Sequence, residues 1–368
     1  MSENIIIQLV IFKNSVLKEL RYQANIIFSC LITVVVTMAL IRTLGNAASG
    51  KTGPEIVVPL ILFSTFSSLG TIAALTAFLS VFMCFSRMYN DNEMVVWRTN
   101  GLKIMDFLPT VTYFLLPITI FAALVTLLGT PWARSQADIL REQSRAEHHL
   151  AKFSPGKFSE FSNGEKLVFF EQTKSDSLNL GLVFVRSKDE NGKETIVLGN
   201  KGRLEFIDNV PWVNLKDGSQ IDFHSMQANP RIDVTKFGSY SMRLDNSPKS
   251  QAARTRIKST NSWTLFKRQS PSDLGELSFR LGTILLCLTV PFLAIPFALK
   301  SNKNNQLLNV LTAILVFIFA NHLLGIIQAL ISKETISWLS GQILLPILTL
   351  TIAFFLIFKE DKKFGGPT

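Results

Sequence analysis

The sequence predicts an α-helical membrane protein with six transmembrane helices and an all-β domain inserted between the third and the fourth. Three observations predict it. Apolar residues make up 48% of the 368 and charged ones only 17%, a balance unusual for a soluble enzyme. Six stretches are long and apolar enough to cross about 30 Å of hydrocarbon, which takes roughly 20 helical residues whose backbone groups are satisfied internally. Between the third and fourth stretches the pattern changes to short alternating runs separated by turn residues.

The chain begins with an amphipathic segment in which Ile7, Val10, Ile11, Leu17 and Leu20 stand among Lys13, Lys18 and Arg21. That pattern suits a helix on the membrane surface leading into an uncleaved span. Spans are expected at residues 26–44, 56–85, 104–128, 277–299, 307–331 and 338–358. The second exceeds what a perpendicular helix needs, so it tilts or protrudes. A competing reading makes the first stretch a cleaved signal, because Asn46-Ala47-Ala48 follows it. Its length and its amphipathic approach argue for the uncleaved span.

Basic residues set the orientation. Lys13, Lys18 and Arg21, then Arg87, Arg98 and Lys103, then Lys300 and Lys303, then Lys359, Lys362 and Lys363 all fall on one side of the alternating spans. The other side's short connections carry only Lys51 beside Glu55 and Lys333 beside Glu334. The basic side is cytoplasmic. Both termini are therefore expected in the cytoplasm, with residues 131–276 outside, in the periplasm if the cell has one. The net charge of +10 is in this light a topology signal and gives no ground for a nucleic-acid partner.

After a polar, helical approach at residues 132–150, strands are expected at 166–171, 180–186, 195–198, 203–207, 213–216, 220–224 and 231–237. Turn signals at Asn163-Gly164, Asn191-Gly192, residues 209–211 and Asp217-Gly218 separate many of them. Such short strands with tight turns imply a sandwich, a jellyroll-like fold or an open barrel. A polar linker at 246–260 returns to the membrane. The resulting division is residues 1–130 for the N-terminal helix and first three spans, 131–270 for the inserted domain, and 271–368 for the last three spans and tail.

No catalytic constellation is present: there is no phosphate loop with a following Lys, no His-Glu-x-x-His and no nucleophile motif. Cys30, Cys84 and Cys287 each lie within an apolar run and fit neither a zinc site nor a disulfide framework. They read as small hydrophobes. His148 and His149 diverge on a helix, which favours a solvated face over a metal pair, and His224 ends a strand with no visible ligand partner. Asn321 and His322 interrupt the fifth span, where polar side chains face protein or a watery cavity. Interhelical hydrogen bonding and cavity lining both stay open.

Arg42, at the outer end of the first span, and Arg280, at the outer start of the fourth, either snorkel to the headgroups or grip the phosphate of an anionic lipid with the fixed guanidinium fork. Glu276 stands four residues before Arg280 and partly neutralises it, which makes Arg280 the weaker candidate. Residues 87–103 are the most informative stretch. Met94, Val95 and Trp97 give a short helix an apolar side, Glu93 and Arg98 supply charge, and Gly101 ends it. Such a helix docks in a partner's groove or lies on the lipid surface.

Residues 88–102, an acidic residue followed by apolar ones and Gly-Leu, resemble the loop between the second and third spans of LptF and LptG, the permeases of lipopolysaccharide export. Leu40-Ile41-Arg42-Thr43-Leu44-Gly45 resembles the end of their first span. Ser154-Pro155-Gly156-Lys157-Phe158, Asn163-Gly164 and Val168-Phe169-Phe170-Glu171 resemble the opening of the LptF periplasmic domain and favour LptF over LptG. The likeness covers the whole chain in architecture, carried by the order of short motifs.

The resemblance implies a non-catalytic permease subunit of an ABC transporter. It would pair with an LptG-like subunit and be driven by an LptB-like ATPase dimer, where ATP and Mg act; no cofactor is implied in this chain. Lipopolysaccharide would pass from the inner membrane through the periplasmic jellyroll to an LptC-like bridge protein. Residues 88–101 would hold the coupling helix, with Glu93 matching its acidic residue and Met94, Trp97, Arg98 and Gly101 completing the ATPase-coupling set. Arg42 matches a basic residue that contacts lipid phosphates, whereas the family's basic residue three places earlier is Ala39 here. Of other classes, a membrane-anchored periplasmic scaffold or sensor is the main rival, and an intramembrane lipid enzyme lacks the polar cluster it needs.

Overall fold

The computed structural model describes the chain except residues 1, 50–51, 100–102, 153–155, 162–165, 173–178, 189–193, 208–209, 225–230, 244–256, 301–304 and 365–368. Six of the described helices are long and apolar enough to cross a membrane: Lys13–Ala48, Pro54–Asn90, Ile104–Ser144, Pro271–Ala298, Gln306–Ser332 and Trp338–Lys362. The protein is a multi-pass membrane protein. Each span covers its sequence-derived stretch to within a residue.

The amphipathic N-terminal segment leads into the first span without a break: one helix, Ser2–Ala48, contains both. Its described apolar stripe, Val16, Leu20 and Ile27, is buried in the helical core while most of the following turns are exposed. The third span holds Pro117, and a π-helical turn at Val125–Gly129 precedes the polar helix Thr130–Lys152. Proline removes a helical hydrogen bond and bends the helix locally.

The fourth span is the centre of the bundle. Of its most apolar window 67% is buried, against 11% for the first span, and it packs on the second, third, fifth and sixth. A helix apolar on all sides belongs in such a position. Its start is fixed locally: Pro271 opens it without losing a needed N–H, and Ser270 Oγ accepts the Asp273 N–H at 3.3 Å.

The insert is a six-stranded antiparallel sheet whose consecutive strands are neighbours throughout. The strands are β1 (Ser159–Phe161), β2 (Lys166–Gln172), β3 (Asn179–Lys188), β4 (Glu194–Ile207), β5 (Val210–His224) and β6 (Arg231–Arg243). Two pairs of expected strands have fused: 195–198 with 203–207 in β4, and 213–216 with 220–224 in β5. The Asp217-Gly218 turn signal is therefore a kink inside a strand. Asp217 has φ +52°, yet the register is unbroken across it, with Lys216 and Gly218 paired to Lys201 and Gly199 on one side and to Ser239 and Phe237 on the other. Near the turn expected at 209–211, β4 and β5 pair as far as Ile207 and Val210, with Pro211 already in the strand; residues 208–209 lie outside the described residues. Asn163-Gly164 and Asn191-Gly192 lie outside the described residues.

Val168, Phe170, Val183, Val185, Val197, Val213 and Leu215 form the apolar core of the sheet, spaced at the period of two that puts them on one face. The chain divides into two compact units, one of Met1–Ala48, Val57–Asp138 and Thr255–Thr368, the other of Ser49–Ile56 and Ile139–Arg254. Ser49–Ile56 joins the unit of the insert, where the Gly53 N–H donates to Ser144 Oγ at 3.0 Å.

Candidate functional site

Between the second and third spans the chain makes an abrupt turn and a short helix. Asn92, in the left-handed conformation at φ +59°, ends the second span; the Asp91 N–H donates to the Arg87 carbonyl at 2.9 Å and the Asn92 N–H to that of Tyr89 at 3.2 Å. Asparagine tolerates this conformation better than most residues. The helix that follows, Glu93–Thr99, is divided by burial. Met94 is only 2% exposed and part of the bundle core, and Trp97 packs against that core. Val95 and Val96, by contrast, are 55% and 59% exposed. The apolar residues that the sequence grouped on one side thus do two jobs, anchoring and presenting.

Ion pairs fix the same segment. Arg87 lies 3.6 Å from Glu93 and 3.3 Å from Glu19, so a Glu–Arg–Glu chain joins the short helix to the end of the second span and to the first helix. Arg98 lies 3.7 Å from Asp361 on the last helix, and Asp361 Oδ1 accepts the Ile104 N–H at 3.0 Å. Asp361 was missed in the sequence because it lies far along the chain in what reads as a charged tail. Gly101 lies outside the described residues.

At the other end of the bundle Arg280 is 1% exposed. Its Nε donates to Glu276 at 3.2 Å, Nη1 to Ser262 Oγ at 2.8 Å and to the Thr260 carbonyl at 3.1 Å, and Nη2 to the Lys258 carbonyl at 3.0 Å. Glu276 also meets Arg134 at 3.5 Å and accepts from Gln328 at 3.2 Å. Burying a charge demands pairing and hydrogen bonds of this kind. The guanidinium considered for lipid phosphate is thus engaged within the protein, where it ties residues 258–262 to the fourth span. Arg42, in contrast, is exposed and has no ion-pair partner among the described residues.

In the fifth span Asn321 is half-buried and His322 exposed, so His322 faces outward. The side chains of His148, His149 and His224 lie outside the described residues, and among those described no cluster of three or more metal-ligating side chains occurs. Cys84 and Cys287 are buried and Cys30 is exposed, all as free thiols.

No curated protein matches the chain. The family model described as lipopolysaccharide export system permease LptF/LptG matches residues 16–359, a range that takes in the short helix, the inserted sheet and most of every span; it does not distinguish LptF from LptG. With six spans, and an all-β insert between the third and fourth, the chain belongs to the LptF/LptG family of lipopolysaccharide export permeases.

Proposed function

We propose that the chain is the LptF-type permease subunit of an ABC exporter, in which the exposed Val95–Val96 side of the helix Glu93–Thr99 seats in a groove of a separate ATPase dimer. The observation that carries this reading is the anchoring of an otherwise exposed apolar edge: Met94 and Trp97 in the core, Glu93 on Arg87 and Arg98 on Asp361. A helix held this way passes a push from below into the first, second and last helices at once. ATP and Mg act in the partner. A second permease subunit of the LptG type completes the lipid cavity, and Arg42 meets lipid phosphate at its outer end. Lipopolysaccharide then leaves by the periplasmic sheet towards a bridge protein of the LptC type. Both termini lie on the cytoplasmic side of the inner membrane.

The test is co-purification with an LptB-type ATPase and an LptG-type partner, comparing intact protein with Glu93→Ala and Val96→Asp for assembly and lipopolysaccharide-stimulated ATP hydrolysis. The Glu93–Arg87 pair is over 40% exposed on both sides, and such pairs contribute about 0–1 kcal/mol. Glu93→Ala therefore leaves the fold intact and removes only the helix's tie to Arg87, so its loss of coupling reports on how the helix is held, while that of Val96→Asp reports on the exposed side that meets the partner. Both variants should lose assembly or stimulated turnover. An intact chain that fails to associate would sink the proposal and leave the membrane-anchored scaffold in its place.

A further inference from the structure

The first and third spans do not close on each other at the Arg21 end. A crevice of about 610 Å³ between them is lined by Arg21, Asn25, Tyr113, Leu116, Pro117 and Ile120 among others. A second, of about 290 Å³, shares Asn25 and Pro117 with it and reaches Thr76 and Phe121. Pro117 interrupts the hydrogen-bond ladder of the third span where both crevices meet. On the membrane-facing side of a span no water is present to fill such a space.

The polar groups along this crevice lack partners. Arg21 is exposed and has neither ion pair nor hydrogen bond among the described residues. The nearest acid in sequence, Glu19, is engaged with Arg87 at 3.3 Å and with Gln23 at 2.9 Å, so the Arg21 charge stays uncompensated. Asn25, one turn and about 6 Å further along the helix, offers an unengaged amide. Thr76 is 3% exposed and its Oγ1 has no hydrogen-bond partner, an orphan hydroxyl within a mostly apolar wall. Just before Arg21 the helix carries Lys13, Lys18 and Glu19; beyond it, Ile118, Ile120 and Phe121 continue into the apolar stretch.

We propose that this crevice binds a glycerophospholipid of the leaflet on the Arg21 side, with its phosphate on Arg21, ester oxygens on Asn25 and Thr76, and an acyl chain along Ile118, Ile120 and Phe121. A guanidinium binds phosphate by charge-assisted hydrogen bonds. The amide and the hydroxyl are donors, which match the acceptor oxygens of the esters. The order along the crevice, cation then neutral donors then apolar wall, is that of a phospholipid running from headgroup to chain. The site lies towards the opposite end of the first helix from Arg42, and it does not depend on how the ATPase is coupled.

The experiment is native mass spectrometry and thermal unfolding of the delipidated full-length protein with phosphatidylglycerol, phosphatidylethanolamine, or a diacylglycerol of the same chains. The intact protein should retain one phospholipid and unfold at higher temperature with it, as binding to the native state requires, and should not retain the diacylglycerol. Arg21→Gln should weaken retention by about tenfold, the effect of losing one charge-assisted contact. Thr76→Val, nearly equal in shape, should lower retention without lowering the unfolding temperature of the lipid-free protein. Wild-type retention by Arg21→Gln, or equal retention of the diacylglycerol, overturns the site; undiminished retention by Thr76→Val overturns the ester contact at that hydroxyl. A disulfide between Ile120→Cys and a neighbouring permease helix in native membranes would show that protein, not lipid, fills the crevice.

Discussion

Arg280 illustrates what a charge requires when a helix carries it into a protein interior. The i, i+4 spacing to Glu276 was legible, but the carbonyls of Lys258 and Thr260 and the hydroxyl of Ser262 were not, because no sequence pattern announces which backbone oxygen will face a guanidinium. Removing one partner of a buried pair leaves the other charge unpaired and costs about 3–5 kcal/mol. Arg280→Gln and Glu276→Gln should each lower the thermal midpoint of the detergent-solubilised protein by a corresponding amount. The double variant should cost less than the two together, since neither charge is then stranded. On the sheet, the Arg186 guanidinium, 2.7 Å from Glu194, holds that carboxyl below its ordinary range. A carboxyl depressed in the folded state adds stability above its unfolded pKa and loses it as pH falls through the lower folded value. Glu194→Gln should therefore flatten a small part of the acid-side fall in stability and change little at neutral pH.

Among the elements, the helices were easier to read than the strands. A 20-residue apolar stretch has one meaning in a membrane. Asp-Gly within a β-rich region has two: it makes a turn, or it supplies a left-handed residue inside a strand, and only the neighbouring strands decide. At Asp217 they decide for the strand. Asp217→Gly should be tolerated, whereas Asp217→Val should destabilise by roughly 1–2 kcal/mol, since a β-branched residue resists positive φ, as denaturant unfolding of the full chain would measure. The short helix Glu93–Thr99 was likewise visible, but which of its apolar residues face inward was not. Seven residues span too few turns to define a face without knowing what lies beneath. Asp361→Ala should speed amide exchange at Ile104, which loses its acceptor, while leaving the exchange of the fourth span unchanged.

For the molecule as a whole, composition and the length of the apolar runs carried the architecture, and the family match agrees with it. What escaped was the membership of Ser49–Ile56 in the unit of the insert, because a short polar connection looks alike whatever it packs on. The orientation has its own test. In a protein whose Cys30, Cys84 and Cys287 are replaced by Ala, Asn92→Cys should react with a membrane-impermeant maleimide only from the cytoplasmic side and Asp233→Cys only from the periplasmic side; the reverse pattern would invert the topology. The fourth span's central place also has a consequence in time. The ribosome makes the helix on which the second, third, fifth and sixth pack only after residues 139–254 have been synthesised, a delay on the order of ten seconds at about 5–20 residues per second. For that interval the first three helices stand in the bilayer without their keystone. A chain stalled before residue 271 should be degraded faster than one stalled after 300, and the cell's membrane insertion machinery becomes a temporary lodger in the space that the fourth helix will take.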